Sequence, residues 1–333
     1  MSGHLWANRQ MRALAAGAAL TLVLGTSACA ATAGTSTSTS TANDAAKVLK
    51  SIEMINPSPG DPEFQTIAGC FTAEAKRKGV AAKVVGSPGD NLNSSAALGY
   101  VQQAVADGVG AIALTTSGDA TSIEPALAAA RKKGVLVATM ESGDATAARN
   151  FDVGIDIVQY AKNAAAQIAA MPGRKDVAIL TIALSGTPKI FDDAFIQAIK
   201  SDPSVSLLDV VPDNGDVTTD ADLAGEILLA HPQTNVILTV NPSSTPGVAT
   251  AITEHNDVGK VHLVGLSLTP EGKSALQSGI ASALYVQRIC DVGTLAVDGL
   301  LAVAAGKTVP GEVPIAATFA TKADYTKFGP GWN

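Results

Sequence analysis

The stretch SAALGYVQQAVADGVGAIALTT, Ser95 to Thr116, decides the fold class. Leu98, Val101, Val105 and Val109 recur at spacings of three and four, the stripe of a helix that lays one face on a core. Gly108 and Gly110 separate that helix from Ala111-Ile112-Ala113-Leu114, an apolar run of strand length, and the polar Thr115-Thr116-Ser117 follow at once. A helix feeding a buried strand that ends in polar residues is one repeat of a parallel α/β sheet. The same alternation extends in both directions. It predicts strands near 51–55, 81–85, 111–114 and 136–139, joined by helices near 65–78, 95–107 and 122–132. A second series has strands near 177–181, 207–211, 236–239 and 262–265, with helices near 157–170, 191–200, 221–230, 246–255 and 271–277. A strand near 282–285 and a helix near 292–304 close the chain. Lys76-Arg77-Lys78-Gly79 and Lys132-Lys133-Gly134 place cations in a last helical turn and a glycine after it, matching the dipole and a left-handed cap.

The beginning of the chain has a different grammar. Arg9 and Arg12 precede an unbroken apolar run from Ala13 to Leu24, and Thr26-Ser27-Ala28-Cys29 follow. Positive charge, a short apolar stretch and small residues form an export signal, and the run is too short to anchor in a bilayer. Gln10 and Met11 separate the two arginines, so the general secretory route is expected. Cys29 after small residues resembles a lipobox, in which the thiol is acylated once residues 1–28 are removed. Ordinary cleavage after Ala30, with Ala28 and Ala30 as the small residues, is the alternative. Residues 29–46 are almost wholly Ala, Thr, Ser and Gly and read as a flexible tether.

Removing the leader leaves about 305 of the 333 residues, enough for two domains. The leader holds two of the 23 basic residues and none of the 30 acidic ones, so the remainder carries 21 − 30 = −9. That balance argues against nucleic acid and against a basic membrane patch. No nicotinamide-type G-x-G-x-x-G follows a strand, and no G-x-S-x-G elbow occurs. His231, His255 and His262 have no Cys or carboxylate at metal spacing, His4 lies in the leader, and so neither a metal nor a cofactor is expected.

Open parallel sheets bind ligands beyond the carboxyl ends of their strands. Those positions are polar: Asn56 to Phe64, Asp90-Asn91, Thr115 to Ser117 and Glu141-Ser142 in the first series, then Ser185 to Lys189, Asp192, Asp193, Asn214, Asp216, Asn241, Ser243 and Ser267 in the second. Turn and cap chemistry accounts for many of them. Glu141 differs, because a carboxylate at a strand end is costly unless it meets a partner.

From Asn91-Leu92-Asn93-Ser94-Ser95 through Val101-Gln102-Gln103-Ala104-Val105 and Gly110 to Leu114, then Gly134 to Glu141, the chain resembles the sugar-binding periplasmic receptors of ABC importers. It is similar to the ribose, rhamnose and autoinducer receptors among them. Val153-Gly154-Ile155-Asp156, Ala194-Phe195, Ala230-His231-Pro232, Val264-Gly265-Leu266-Ser267, Val286-Gln287-Arg288, Asp291-Val292-Gly293 and Phe319-Ala320-Thr321-Lys322 extend the likeness over the whole body. It implies two Rossmann-like parallel-sheet lobes joined by a three-strand hinge, residues 47–154 with 288–316 and residues 155–287 with 317–333. A ligand is expected between them, held by hinge closure.

Carried over, Glu141 takes the place of an acid that bonds sugar hydroxyls, Asn241 of a second-lobe polar ligand and Gln287 of a hinge glutamine. Lys189 or Asp192 falls where the family has an arginine or another polar group, within a register of two residues. Asp61, Phe64 and Ser142 complete the expected set; Phe64 and Phe191 are the candidates for stacking, with Phe191 equally suited to stapling its helix. The ring that ribose-type receptors bring from a second-lobe loop falls near Gly215, and Ser267 stands for their aspartate, so the ligand is expected to be a small, neutral, hydroxyl-rich sugar, polyol or furanosyl signal bound by hydrogen bonds. The likeness also places Cys70 and Cys290 in one lobe, where they either form a disulfide or remain two buried thiols. The expected partners are an ABC permease and, through the lipid, the outer face of the membrane, with the protein a monomer. A sensor for a membrane signalling protein and an exported α/β enzyme are the alternatives.

Overall fold

The computed structural model describes residues 48–86, 94–116, 120–141, 148–329 and 331–332. The leader, the tether, Cys29, Ser142, Asp90 and Asn91 lie outside the described residues.

The first half runs β1 (Ser51–Asn56), α1 (Pro62–Lys78), β2 (Ala81–Gly86), α2 (Ser94–Ala106), β3 (Ala111–Leu114), α3 (Ala120–Lys132), β4 (Leu136–Met140) and β5 (Phe151–Gly154). The second half runs α4 (Ile157–Ala169), β6 (Lys175–Thr181), α5 (Gly186–Ile199), β7 (Val205–Pro212), α6 (Asp220–Ala230), β8 (Val236–Thr239), α7 (Thr245–Glu254), β9 (His262–Leu266), α8 (Pro270–Ser278) and β10 (Ala281–Gln287). The chain then returns through α9 (Ile289–Ala304) and β11 (Glu312–Pro314) to β12 (Ala317–Ala320).

Two six-stranded sheets result, ordered β11-β5-β4-β3-β1-β2 and β12-β10-β9-β8-β6-β7. Strand pairs are parallel except β10 with β12, where Tyr285 faces Phe319 and Gln287 faces Ala317. The two orders match position by position, so β4 and β9, and β5 and β10, are equivalent strands of the two lobes. The chain passes between the sheets at residues 155–156, at 288 and at 315–316.

Each sheet is covered on both faces, as its continuous apolar strands require. In the first lobe Ile52, Met54, Ile67, Phe71, Val292 and Leu300 form the core beneath α1 and α9, and Ile55, Val101, Ile112 and Leu127 form the one beneath α2 and α3. In the second lobe Tyr160, Ile179, Phe191, Phe195 and Tyr285 pack under α4 and α5, and Leu228, Ile237, Ile252 and Leu276 pack under the other helices. The first lobe depends on a close helix crossing. At Gly293 of α9, a Cβ would lie 2.3 Å from the Ile67 carbonyl oxygen and 2.7 Å from the Phe71 nitrogen of α1. Cys70 and Cys290 join the same two helices in a disulfide, with Cα atoms 5.4 Å apart.

Several boundaries differ from the sequence expectation. Helix α1 starts at Pro62, three residues early, because Asp61 caps it by accepting the Glu63 amide at 2.7 Å and Pro62 suits the first turn. Helix α5 starts at Gly186, five residues early, with Pro188 in its first turn. Strands β5, β11 and β12 have three or four residues each and were not among the expected strands; sheet pairing, rather than periodicity, defines them.

Candidate functional site

Both lobes use the same backbone device at the end of the fourth strand. Glu141 follows β4 with φ of 49°, and Ser267 follows β9 with φ of 74°. The Glu141 amide donates to the Val153 carbonyl of β5 at 2.8 Å, and the Ser267 amide donates to the Tyr285 carbonyl of β10 at 2.8 Å. A side-chain residue in the left-handed region costs about 1–2 kcal/mol. The neighbouring strand holds each turn, and a residue kept there against that cost points to function.

Glu141 is partly buried. A Cβ on Gly154 would lie 3.2 Å from both the Cα and Oε1 of Glu141, so the glycine in β5 makes room for this acid. Oε1 is buried without a hydrogen-bond partner among the described residues. Burial raises the carboxyl well above its usual range, and the charges of Glu63 and Asp152 push it further. Burial, with a smaller contribution from the Glu141 charge, raises the Tyr285 phenol on the hinge strand β10. Two residues along that strand, Gln287 is 4% exposed and its Oε1 is also buried without a partner.

In the second lobe Asp192 on α5 is buried, with neither carboxylate oxygen in a well-formed hydrogen bond. Desolvation raises it to about 6, against the pull of the neighbouring Thr181 hydroxyl and of Lys189. Thr181 and Thr239, at the ends of β6 and β8, also carry buried hydroxyls with no well-formed hydrogen bond among the described residues. Deeper in the lobe, Asp220 at the start of α6 is fully buried and is likewise raised to about 6 by desolvation, with the charge of Asp213 adding to it. Asp213 accepts from the Gly215 amide at 2.7 Å and from the Ser244 hydroxyl at 3.2 Å.

The remaining expected residues divide into two groups. Asn241 sits at the end of β8 and caps the short 3-10 turn Pro242–Ser244, its Oδ1 accepting the Ser243 amide at 3.1 Å. Asp61 caps α1 and lines a cavity of about 390 Å³ that has Glu63 and Thr66 on its first-lobe side and Ser243, Ser267 and Glu271 on the other. Lys189, in contrast, is exposed and pairs with Asp193 at 2.7 Å. Phe64 is half-buried against the first-lobe core, and Phe191 is a full core residue whose ring centre lies 4.6 Å from that of Tyr160. Sequence reading left out Trp332, which lines the cavity, because a residue one from the chain end belongs to no periodic pattern. It also left out Tyr160, whose buried hydroxyl has no partner and whose ring stacks on Tyr285 at 4.0 Å. Among the described residues no three His, Cys, Asp or Glu side chains converge as a metal site. No described helix is long and apolar enough to cross a membrane.

Strand-end acids and amides between two parallel-sheet lobes suit a neutral ligand rich in hydroxyls. The profile of the periplasmic binding protein domain matches residues 52–308. The D-allose-binding periplasmic protein of Escherichia coli K12 is 27% identical over 115 residues, 34% of this chain and 37% of that protein's length. Among solved structures, GanP, a glucose-galactose binding protein from Geobacillus stearothermophilus, superposes with a TM-score of 0.77 at 22% identity, covering 84% of this chain and 99% of its own. A carbohydrate transporter solute-binding protein from Agrobacterium radiobacter in complex with D-arabinose gives 0.73 at 23%, covering 83% and 95%.

Proposed function

Since the chain belongs to the periplasmic binding protein family, we propose that it is an extracytoplasmic receptor, not an enzyme, that captures a small sugar or polyol between its lobes for an ABC importer. The observation that carries this reading is that Glu141, at the end of β4, and Gln287, on the hinge strand, each hold a buried side-chain oxygen without a partner among the described residues. A buried polar atom without a partner costs about 1–3 kcal/mol, and a ligand hydroxyl donating to each recovers that loss. The Glu141 carboxyl accepts, and the Gln287 amide both donates and accepts, which complements vicinal hydroxyls. Asn241 offers its amide nitrogen, its oxygen being engaged in the turn. Asp192 and the Thr181 hydroxyl extend the polar wall from the second lobe, and Asp61 extends it from the first.

The sugars named for the relatives, D-allose, D-glucose, D-galactose and D-arabinose, support a monosaccharide of five or six carbons. We place the lobes at residues 47–154 with 288–316 and 155–287 with 317–333, and read Cys29 as the acylated end of a monomer tethered by residues 30–46. Replacing Cys29 by Ser is expected to release the protein from the membrane; its retention in a detergent phase would contradict the anchor. A thermal-shift screen of those four sugars and related polyols tests the ligand class. Binding at 100 times the dissociation constant stabilises by about 2.7 kcal/mol, so the true ligand raises the melting temperature measurably. An unmoved transition across the panel would contradict a sugar receptor.

A further inference from the structure

The aromatic surface of this cleft comes from the end of the chain. The 390 Å³ cavity is within the range of small-molecule sites and takes residues from both lobes, with Asp61 and Glu63 on one side and Ser267 and Glu271 on the other. Ile289, two residues beyond Gln287 of the hinge strand, also lines it, so the cavity opens beside the end of β10. Its one aromatic lining residue among those described is Trp332.

That ring is held in place rather than trailing. It meets Phe328 edge to face with centres 5.0 Å apart and packs on the second-lobe core, while the preceding Gly331 carbonyl accepts the Cys290 amide at 3.4 Å. Cys290 belongs to the first lobe and is fixed to α1 by the disulfide. The tail therefore spans from the second lobe to the first directly at the cavity. Phe64 and Phe191, the other rings considered for stacking, pack into cores.

We propose that Trp332 is the stacking surface of the ligand site, receiving the apolar face of a neutral sugar ring whose hydroxyls reach Glu141 and Gln287. An indole offers a broad apolar plane with a donor at its edge, which matches a ring that is apolar across its C–H face and polar at its rim. No Lys or Arg lines the cavity among the described residues, so an anionic solute finds no counter-charge there. The assignment rests on the reading of the cleft as a sugar site.

Trp332 is one of two tryptophans, the other being Trp6, so the full chain carrying Trp6→Phe reports on this position alone. D-allose, D-glucose, D-galactose and D-arabinose are titrated in parallel by tryptophan emission and by calorimetry, with tetramethylammonium as a cationic control. A bound sugar is expected to change the emission along the calorimetric isotherm. Trp332→Ala is expected to weaken it about tenfold or more, and Trp332→Phe, which keeps a ring against Phe328, by about threefold or less. Calorimetric binding with silent emission and an unaltered Trp332→Ala affinity would overturn the assignment while leaving the receptor function standing. A response to tetramethylammonium but to no sugar would overturn the sugar ring as occupant. Absence of calorimetric binding for all four sugars would remove the functional reading and this inference with it.

Discussion

Glu141 is an acid placed where ionisation is costly, in a left-handed turn and against a glycine that leaves it only just enough room. Its carboxyl is raised by burial and by Glu63 and Asp152, so the folded protein binds its proton more tightly than the unfolded chain does. That contribution to stability is complete below the ordinary carboxyl value of 4.5 and is lost as pH rises through the folded value. Glu141→Gln keeps the shape and removes the titration, so the variant is expected to gain stability over the wild type as pH increases, read from melting curves between pH 4 and 8. Asp220, raised from 3.8 to about 6, sets a narrower window. Asp220→Asn is expected to match the wild type near pH 4 and to melt a few degrees higher at pH 7.5, since about 1 kcal/mol moves a domain of this size by roughly 2–4 °C. Equal melting temperatures at pH 7.5 would contradict the buried acid. Glu141 stood out in the sequence because a carboxylate at a strand end demands an explanation. Asp220 did not, because an acid in the first turn of a helix has an ordinary role with the dipole, and only tertiary packing against Ser244 and Gly247 makes it unusual.

The crossing of α1 and α9 is the element on which the first lobe turns. The two helices meet at Gly293, share the apolar residues Ile67, Phe71, Val292 and Ala296, and are joined by the Cys70–Cys290 disulfide across 220 residues of sequence. Gly293→Ala forces a methyl onto the α1 backbone and is expected to destabilise by about 1–3 kcal/mol, the range for overpacking a tight core. Cys70→Ser with Cys290→Ser opens a long loop and is expected to cost about 2–5 kcal/mol in denaturant unfolding, an effect reproduced in the wild type by reductant. A wild-type transition indifferent to reductant would contradict that role. The described α-helices were legible as amphipathic segments, with end signals such as Lys76-Arg77-Lys78-Gly79, because those are local in sequence. Strands β5, β11 and β12 were not, since they have three or four residues each and owe their form to a partner strand far along the chain.

Across the whole molecule, two sheets with the same strand order meet at three crossings, and the equivalent turns after β4 and β9 carry Glu141 and Ser267 to the junction. The repeat was readable because each half alternates helix and strand with polar residues after every strand. Which polar residues are buried was not readable, because Lys189 and Asp192 lie one helical turn apart on α5 and only tertiary packing leaves the lysine exposed on Asp193 while it buries the acid. Trp332 likewise joins the cavity only through the fold of the tail. Glu141 and Gln287 are the two acceptors that the proposed ligand must satisfy at once. The most direct test is a calorimetric titration of Gln287→Ala and Glu141→Ala with the sugar returned by the thermal screen, each variant first matched to the wild type by its folded spectrum. Affinity is expected to fall tenfold or more in each, since an unsatisfied buried partner costs about 1–3 kcal/mol. Wild-type affinity in both variants would contradict the cleft as the binding site.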